Sequence, residues 1–153
     1  MHQNTTPPAA DAHDDPAHAD AHADAPTVLP PDADLVMRVI PMPADTNMSG
    51  AVFGGWIMAQ VDIAGSVLPV RRSRGRVTTV AVNRFVFKQP VSVGDLLSFY
   101  ARIERIGTTS ITVHVEVYAE RNPSHPKIVK VTDANLTYVA IDRNGKPRPV
   151  SQD

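Results

Sequence analysis

NMSGAVFGGWIMAQVDIAGSVL, residues 47–68, is a loop, then a Gly-Gly pair, then an apolar run broken by one carboxylate. From Trp56 to Leu68 nearly every residue is apolar or small, so the spacing predicts a helix that is hydrophobic almost all round and therefore largely buried. Asp62 stands in the middle of that run. A carboxylate is rare in such surroundings unless it is paired or functional, and on the residues alone a functional acid and a hydrogen-bonded structural acid stand level. Gly54 and Gly55 fall where the helix should begin. Glycine there lets another group approach the unpaired N–H groups of the first turn, and the positive end of a helix suits an oxygen that gains negative charge. The helix should end around Pro69.

Upstream, LVMRVI at 35–40 predicts a short strand stopped by Pro41 and Pro43. Downstream, RRSRGR at 71–76 predicts a basic loop whose four arginines either meet phosphate groups or are simply solvated. Four β segments follow, Val77–Lys88, Leu96–Ile106, Ser110–Ala119 and Ile128–Ile141, separated by breakers at Pro90 and Gly94, Gly107, residues 122–126 and Asn144-Gly145. In ITVHVEVYAE, Ile111, Val113, Val115 and Val117 alternate with Thr112, His114, Glu116 and Tyr118, which predicts one buried and one polar face. One long apolar helix among antiparallel strands implies an α+β fold in which the sheet wraps around the helix.

The 153-residue length allows one domain with one core. Residues 1–33, dominated by Ala, Asp, His and Pro, lack the apolar content that offsets ordering entropy and read as a disordered arm before a domain at 34–150. The arm's histidines, His2, His13, His18 and His22, make it a weak metal-binding tail at most; a solvated extension is the stronger reading. With no cysteine there are no disulfides, thiolate metal sites or cysteine nucleophiles. Fifteen basic against sixteen acidic residues leave no global field to attract nucleic acid or an anionic membrane. No apolar run approaches the roughly 18 residues that span a bilayer, and the N-terminus does not read as a secretory signal. The cytoplasm is the expected compartment.

PMPADTNMSGAVFGGWIMAQVDIAGS together with GRVTTVAVNRFVFKQPVSVGD, GTTSITVHVEVYAE and VTDANLTYVAIDRNGKPRPV resembles the hotdog-fold acyl-CoA thioesterases of the YciA type across residues 35 to 150. The FGGWIMAQVD block and the PVSVGD turn carry most of the specificity. The resemblance implies a hotdog fold, a curved antiparallel sheet around one long central helix, built as homodimers that often assemble into hexamers as trimers of dimers. It also implies hydrolysis of acyl-CoA to free fatty acid and CoA, with no metal and no cofactor. Matched residue by residue, the catalytic acid falls on Asp62 and the backbone donors for the thioester carbonyl on Gly54 and Gly55. Relatives usually carry Asp or Asn where this chain has Ala51, a position at which a polar group helps orient water or substrate in some related enzymes.

Further substrate contacts follow with less specificity. Thr108, Thr109 and Ser110 read as an ordinary hairpin turn on spacing alone, and the resemblance implies that they lie near the CoA moiety. Asn47 either holds substrate or stabilises its loop. Phe53 and Trp56 are placed to line an acyl pocket, although core packing suits Trp56 better. Thr78 and Thr79 are good β formers that can also position water or Asp62 across a dimer. Arg71, Arg72, Arg74, Arg76, Lys146 and Arg148 are available to CoA phosphates.

Spacing adds a constraint of its own. Asp62 lies eight residues beyond Gly54, roughly 12 Å along a helix at about 1.5 Å per residue. A general base works at about 3 Å from the reacting centre, so a site using both features must draw them from two subunits, and an isolated monomer should be inactive. Two other readings compete. A hotdog hydratase or dehydratase usually needs a His, yet His114 and His125, the only histidines beyond the arm, lie outside the helix and the loop before it. A non-catalytic acyl-CoA-binding regulator normally carries a further DNA-binding or partner domain, and the arm has no helix-turn-helix pattern.

Overall fold

The computed structural model describes residues 27–150. Most of the proposed arm, with its four histidines, lies outside the described residues. Five strands and one long helix follow in chain order: β1 (Asp34–Val39), α1 (Gly54–Ser73), β2 (Val77–Phe87), β3 (Leu96–Ile106), β4 (Ser110–Arg121) and β5 (Lys127–Ala140). A single 3-10 turn at Pro43–Asp45 precedes the loop that leads into α1. The strands form one antiparallel sheet in the order β1-β3-β4-β5-β2, so α1 connects the two edge strands and lies against the sheet. This is the α+β arrangement expected from the sequence.

The core is the space between α1 and the inner face of the sheet. Ile57, Val61 and Ala64 from the helix meet Phe99, Val113, Val115 and Leu136 from the central strands, all buried. The buried helix positions 57, 61, 64, 65, 69 and 73 form one stripe at helical spacing. Within one protomer the helix is therefore not covered all round, contrary to the sequence expectation: Met58, Ile63 and Val70 face outward and are exposed. A single sheet can cover only one side of a helix.

α1 also runs one turn past Pro69, to Ser73. Proline forfeits one N–H and crowds the carbonyl four residues earlier, yet the chain stays helical through Arg71 and Arg72, whose charges suit the negative C-terminal end. Half of the expected basic loop is thus helix. The stop is a left-handed residue, Arg74 at φ 49, whose N–H donates to the Arg71 carbonyl at 3.2 Å while Gly75 N–H reaches the Val70 carbonyl at 3.3 Å. That pair of bonds is a Schellman closure, here with arginine where glycine is usual. Arg148 completes the end by donating to the Ser73 carbonyl at 2.8 Å.

The outer face of the sheet differs from expectation in burial. His114, Glu116 and Tyr118 are polar as predicted but also buried, because β4 is the central strand and long side chains from both neighbours lie over it. The Lys130 ammonium lies against Glu116 and, at 2.8 Å, against Asp133, and Arg84 reaches Asp133 at 3.1 Å. Burial alone would push the Glu116 and Asp133 carboxyls up; the cations beside them more than offset this, and both sit below their ordinary values.

Candidate active site

Asp62 is held by two residues that are direct partners in the sheet register, Thr79 on β2 and Tyr138 on β5. Opposed residues of an antiparallel pair point to the same face, and here both point at the helix. The Thr79 hydroxyl donates to Asp62 Oδ1 at 2.6 Å. The Tyr138 hydroxyl lies 2.8 Å from the Asp62 carbonyl oxygen and 3.2 Å from Oδ1, so its one proton is shared between two acceptors. Tyr138 is fully buried. Burial, then the Asp62 charge, then the hydrogen bond to it push the phenol far up, so it stays a neutral donor.

Gly65 makes that contact possible. A Cβ at this position would stand 2.5 Å from the Tyr138 hydroxyl oxygen and 3.3 Å from a Val115 methyl. Neither Tyr138 nor Gly65 emerged from the sequence reading. The signal was present: Tyr138 alternates with the inward Ala134, Leu136 and Ala140, and a buried tyrosine hydroxyl needs a partner. Thr79 reaches Asp62 within its own chain. The cause is that β2 closes its own sheet beside α1. Thr78, one residue earlier in the strand, belongs to the opposite face.

The start of α1 is open in the way the Gly-Gly pair suggested. Phe53 caps the helix without a side-chain bond, and the first intrahelical donor to find its acceptor is Ile57 N–H, 3.2 Å from the Phe53 carbonyl. The N–H groups of Gly54, Gly55 and Trp56 are the unpaired donors of the first turn. A Cβ at Gly55 would meet nothing, whereas at Gly54 it would stand 3.1 Å from the Phe87 ring. Beside Gly54 lies a largely apolar cleft of about 320 Å³ between Val52, Ile57, Phe87, Pro90 and Val91, with Lys88 and Gln89 also lining it. Phe53 is half exposed and, unlike its neighbours Val52 and Gly54, does not line this cleft.

The loop into this end is braced by its own residues. Asn47 Oδ1 accepts from Ser49 N–H at 2.9 Å and from Ala51 N–H at 3.2 Å and so braces the turn. Ala51 also bridges to Ser92, and Val52 N–H donates to Val91 at 2.9 Å. Arg121 clamps the 90–95 turn from β4, donating to Asp95 at 3.1 Å and to the Pro90 carbonyl. The Ala51 departure therefore sits on fixed backbone.

The two features do not meet within one chain. α1 is continuous from Gly54 past Asp62, so their separation is the roughly 12 Å of eight helical residues. The turn carrying Thr108, Thr109 and Ser110 lies at the Asp62 end: Thr109 accepts from Ala140, which pairs with Val77, and Thr108 accepts from Val150, both at 2.8 Å. Gly54 packs at the other end of β2, against Phe87. Ten strand residues separate the two ends, roughly 33 Å. The arginines divide as well. Arg148 is committed to the Ser73 and Ile141 carbonyls and Arg76 to the Arg143 carbonyl, while Arg74, Arg76, Arg143 and Arg148 line an open cleft of about 390 Å³.

His114, Glu116 and Asp133 place potential metal-ligating atoms within 4.8 Å of one another. Lys130 and Arg84 already neutralise both carboxylates there. The group lies on the face of the sheet away from α1, so within one chain His114 does not reach Asp62. No helix among the described residues is long and apolar enough to cross a membrane.

Residues 49–124 match the thioesterase superfamily. The chain is similar to the acyl-CoA thioester hydrolase YciA of Salmonella typhimurium, 47% identical over 122 residues that make up 78% of this chain and 92% of that one. Among solved structures it is similar to a hexameric broad-specificity acyl-coenzyme A thioesterase at 42% identity and TM-score 0.72, covering 78% of this chain and 82% of the other. It is also similar to a hexameric hotdog-fold thioesterase of Campylobacter jejuni at 41% identity and TM-score 0.74, covering 77% and 90%.

Proposed function

This chain belongs to the acyl-CoA thioester hydrolases of the thioesterase superfamily, and from that membership we propose that Asp62 of one subunit and the Gly54/Gly55 N–H groups of another form each active site. The observation that carries the reading is the state of Asp62. Thr79 and Tyr138 both hold Oδ1, so one oxygen is anchored, and in the proposed site Oδ2 is the oxygen that does the chemistry.

In this site the thioester carbonyl accepts from the Gly54 and Gly55 N–H groups, which stabilise the oxygen as it becomes negative, an effect of about 3 kcal/mol per donor in other acyl transfers. Asp62 then either takes a proton from water as the water oxygen attacks the carbonyl carbon, or attacks that carbon itself to give a mixed anhydride that water opens. Either way the C–S bond breaks, the CoA sulfur leaves as thiolate and is protonated, and the acid is released. The reaction as proposed draws on no metal or cofactor. The apolar cleft beside Gly54 receives apolar substrate, and the Thr108–Ser110 turn and the arginine cleft at the Asp62 end are placed for polar and phosphate groups.

A homodimer supplies what one chain lacks. Exposed Met58 and Ile63 on α1 and exposed Val80, Val82 and Phe87 on edge strand β2 form an apolar surface in need of cover. Its burial by a second copy is the proposed active unit, and the hexamers named for the similar structures support further assembly as a trimer of dimers. Thiol release from a panel of acyl-CoAs tests the reading. Asp62→Asn should lower turnover by about 10²–10⁴-fold with the fold intact; turnover equal to that of the parent protein would remove Asp62 from its role.

A further inference from the structure

We propose that Tyr138 is a positioning residue for Asp62, its hydroxyl admitted against α1 by Gly65 so that, with Thr79, it fixes Oδ1 and turns Oδ2 toward the thioester. The inference rests on the reading that Asp62 is the catalytic acid and adds to it a residue that touches no substrate.

A carboxylate on a helix can rotate about two side-chain bonds, and Thr79 alone fixes only one point of it. Tyr138 adds a second constraint of a different kind, because its proton is shared between Oδ1 at 3.2 Å and the carbonyl oxygen of the same residue at 2.8 Å. The hydroxyl thereby ties the carboxylate to its own backbone. The tie is built in, since Tyr138 is fully buried, stands on β5 opposite Thr79, and reaches the helix only where residue 65 has no side chain. The displacement of its phenol far above the ordinary range keeps that proton in place wherever the enzyme works. A phenylalanine would fill the same volume, so the hydroxyl's task is separable from packing.

The experiment is a thiol-release assay on the full chain with Tyr138→Phe, Gly65→Ala and the double variant, each checked for its thermal midpoint. Loss of a hydrogen bond to a charged group predicts a fall in kcat of about tenfold with KM within about twofold. A purely structural tyrosine would instead lower the midpoint and leave the ratio of kcat to KM alone. Gly65→Ala, whose Cβ would displace the hydroxyl, should cost kcat by a similar factor in the parent protein and add little once the hydroxyl is gone, a non-additivity that two unrelated packing defects would not show. Should Tyr138→Phe fail to fold, Gly65→Ala alone decides by the same split. A Tyr138→Phe enzyme within about twofold of the parent in kcat overturns the proposal. If Asp62→Asn is inactive in that same assay, only the role of Tyr138 has failed; if Asp62→Asn is active, the parent reading has failed.

Discussion

Thr79 on the edge strand β2 donates its hydroxyl to Asp62 Oδ1 on α1 at 2.6 Å, joining the last strand of the sheet to the middle of the helix it covers. The bond is short and charge-assisted, the stronger class of hydrogen bond. Thr79→Val keeps the β-branched shape and removes only the donor. Turnover should fall by about tenfold to a hundredfold, while the thermal midpoint moves by no more than a few degrees; a Thr79→Val enzyme with parental kcat would show that the bond is incidental to catalysis.

The polar cluster on the outer face makes a prediction about pH. Glu116 and Asp133 have folded values below their ordinary 4.5 and 3.8, because burial, which raises them, is outweighed by Lys130 with His114 and, for Asp133, Arg84. A depressed carboxyl contributes stability above its unfolded value and loses it as pH falls through the folded one. Lys130 is raised above 10.5 despite burial, by Asp133 and Glu116, so its contribution is complete below that value and is lost as pH rises past it. Tyr118, pushed up to about 12 chiefly by burial and then by the Glu116 charge, fails in the same alkaline direction. Urea midpoints measured across pH should therefore form a plateau that falls below about pH 4 and again above about pH 10.

Lys130→Met removes the cation shared by the two acids while filling its volume. Stranding a buried charge costs about 3–5 kcal/mol when nothing else compensates; Arg84 still faces Asp133 at 3.1 Å and His114 remains near Glu116, so a loss of about 2–3 kcal/mol is expected. The acid limb should also move to higher pH, because burial of Glu116 would no longer be offset. An unchanged acid limb, read from the same urea series, would mean that Lys130 does not set these carboxyls.

These elements differ in how far the chain announces them. Strand β4 was legible because Ile111, Val113, Val115 and Val117 alternate without interruption, and burial on one face forces that period. The start of α1 was legible because Gly54-Gly55 precedes an apolar run. Its end was not, since Pro69 reads as a stop and only the tertiary closure by Arg74, Gly75 and Arg148 carries the helix on to Ser73. Asp62 stood out as an odd residue in its segment. Its partners did not, because Thr79 and Tyr138 lie 17 and 76 residues away and meet it only through the β2–β5 register. The burial of His114 and Glu116 was illegible for a similar reason: polarity was local, but the Lys130 and Arg84 side chains that surround them come from other strands.

The last prediction concerns the division of the site between subunits. Gly54 and Asp62 share one continuous helix and are too far apart to serve one carbonyl, so a defect in the helix start and a defect in the acid should complement each other. Gly55→Pro removes a donor of the first turn of α1 that has no intrahelical acceptor, at a position where a Cβ would meet nothing. Asp62→Asn removes the acid. Alone, each should be weakly active or inactive. When the two are unfolded together and refolded as a mixture, half of the dimers are hybrids, and each hybrid holds one site with both defects and one with neither. About a quarter of the parental thiol-release rate should return, rising and falling with the mixing ratio. If each site were built within one chain, no hybrid would contain an intact site and the mixture would stay as inactive as its components.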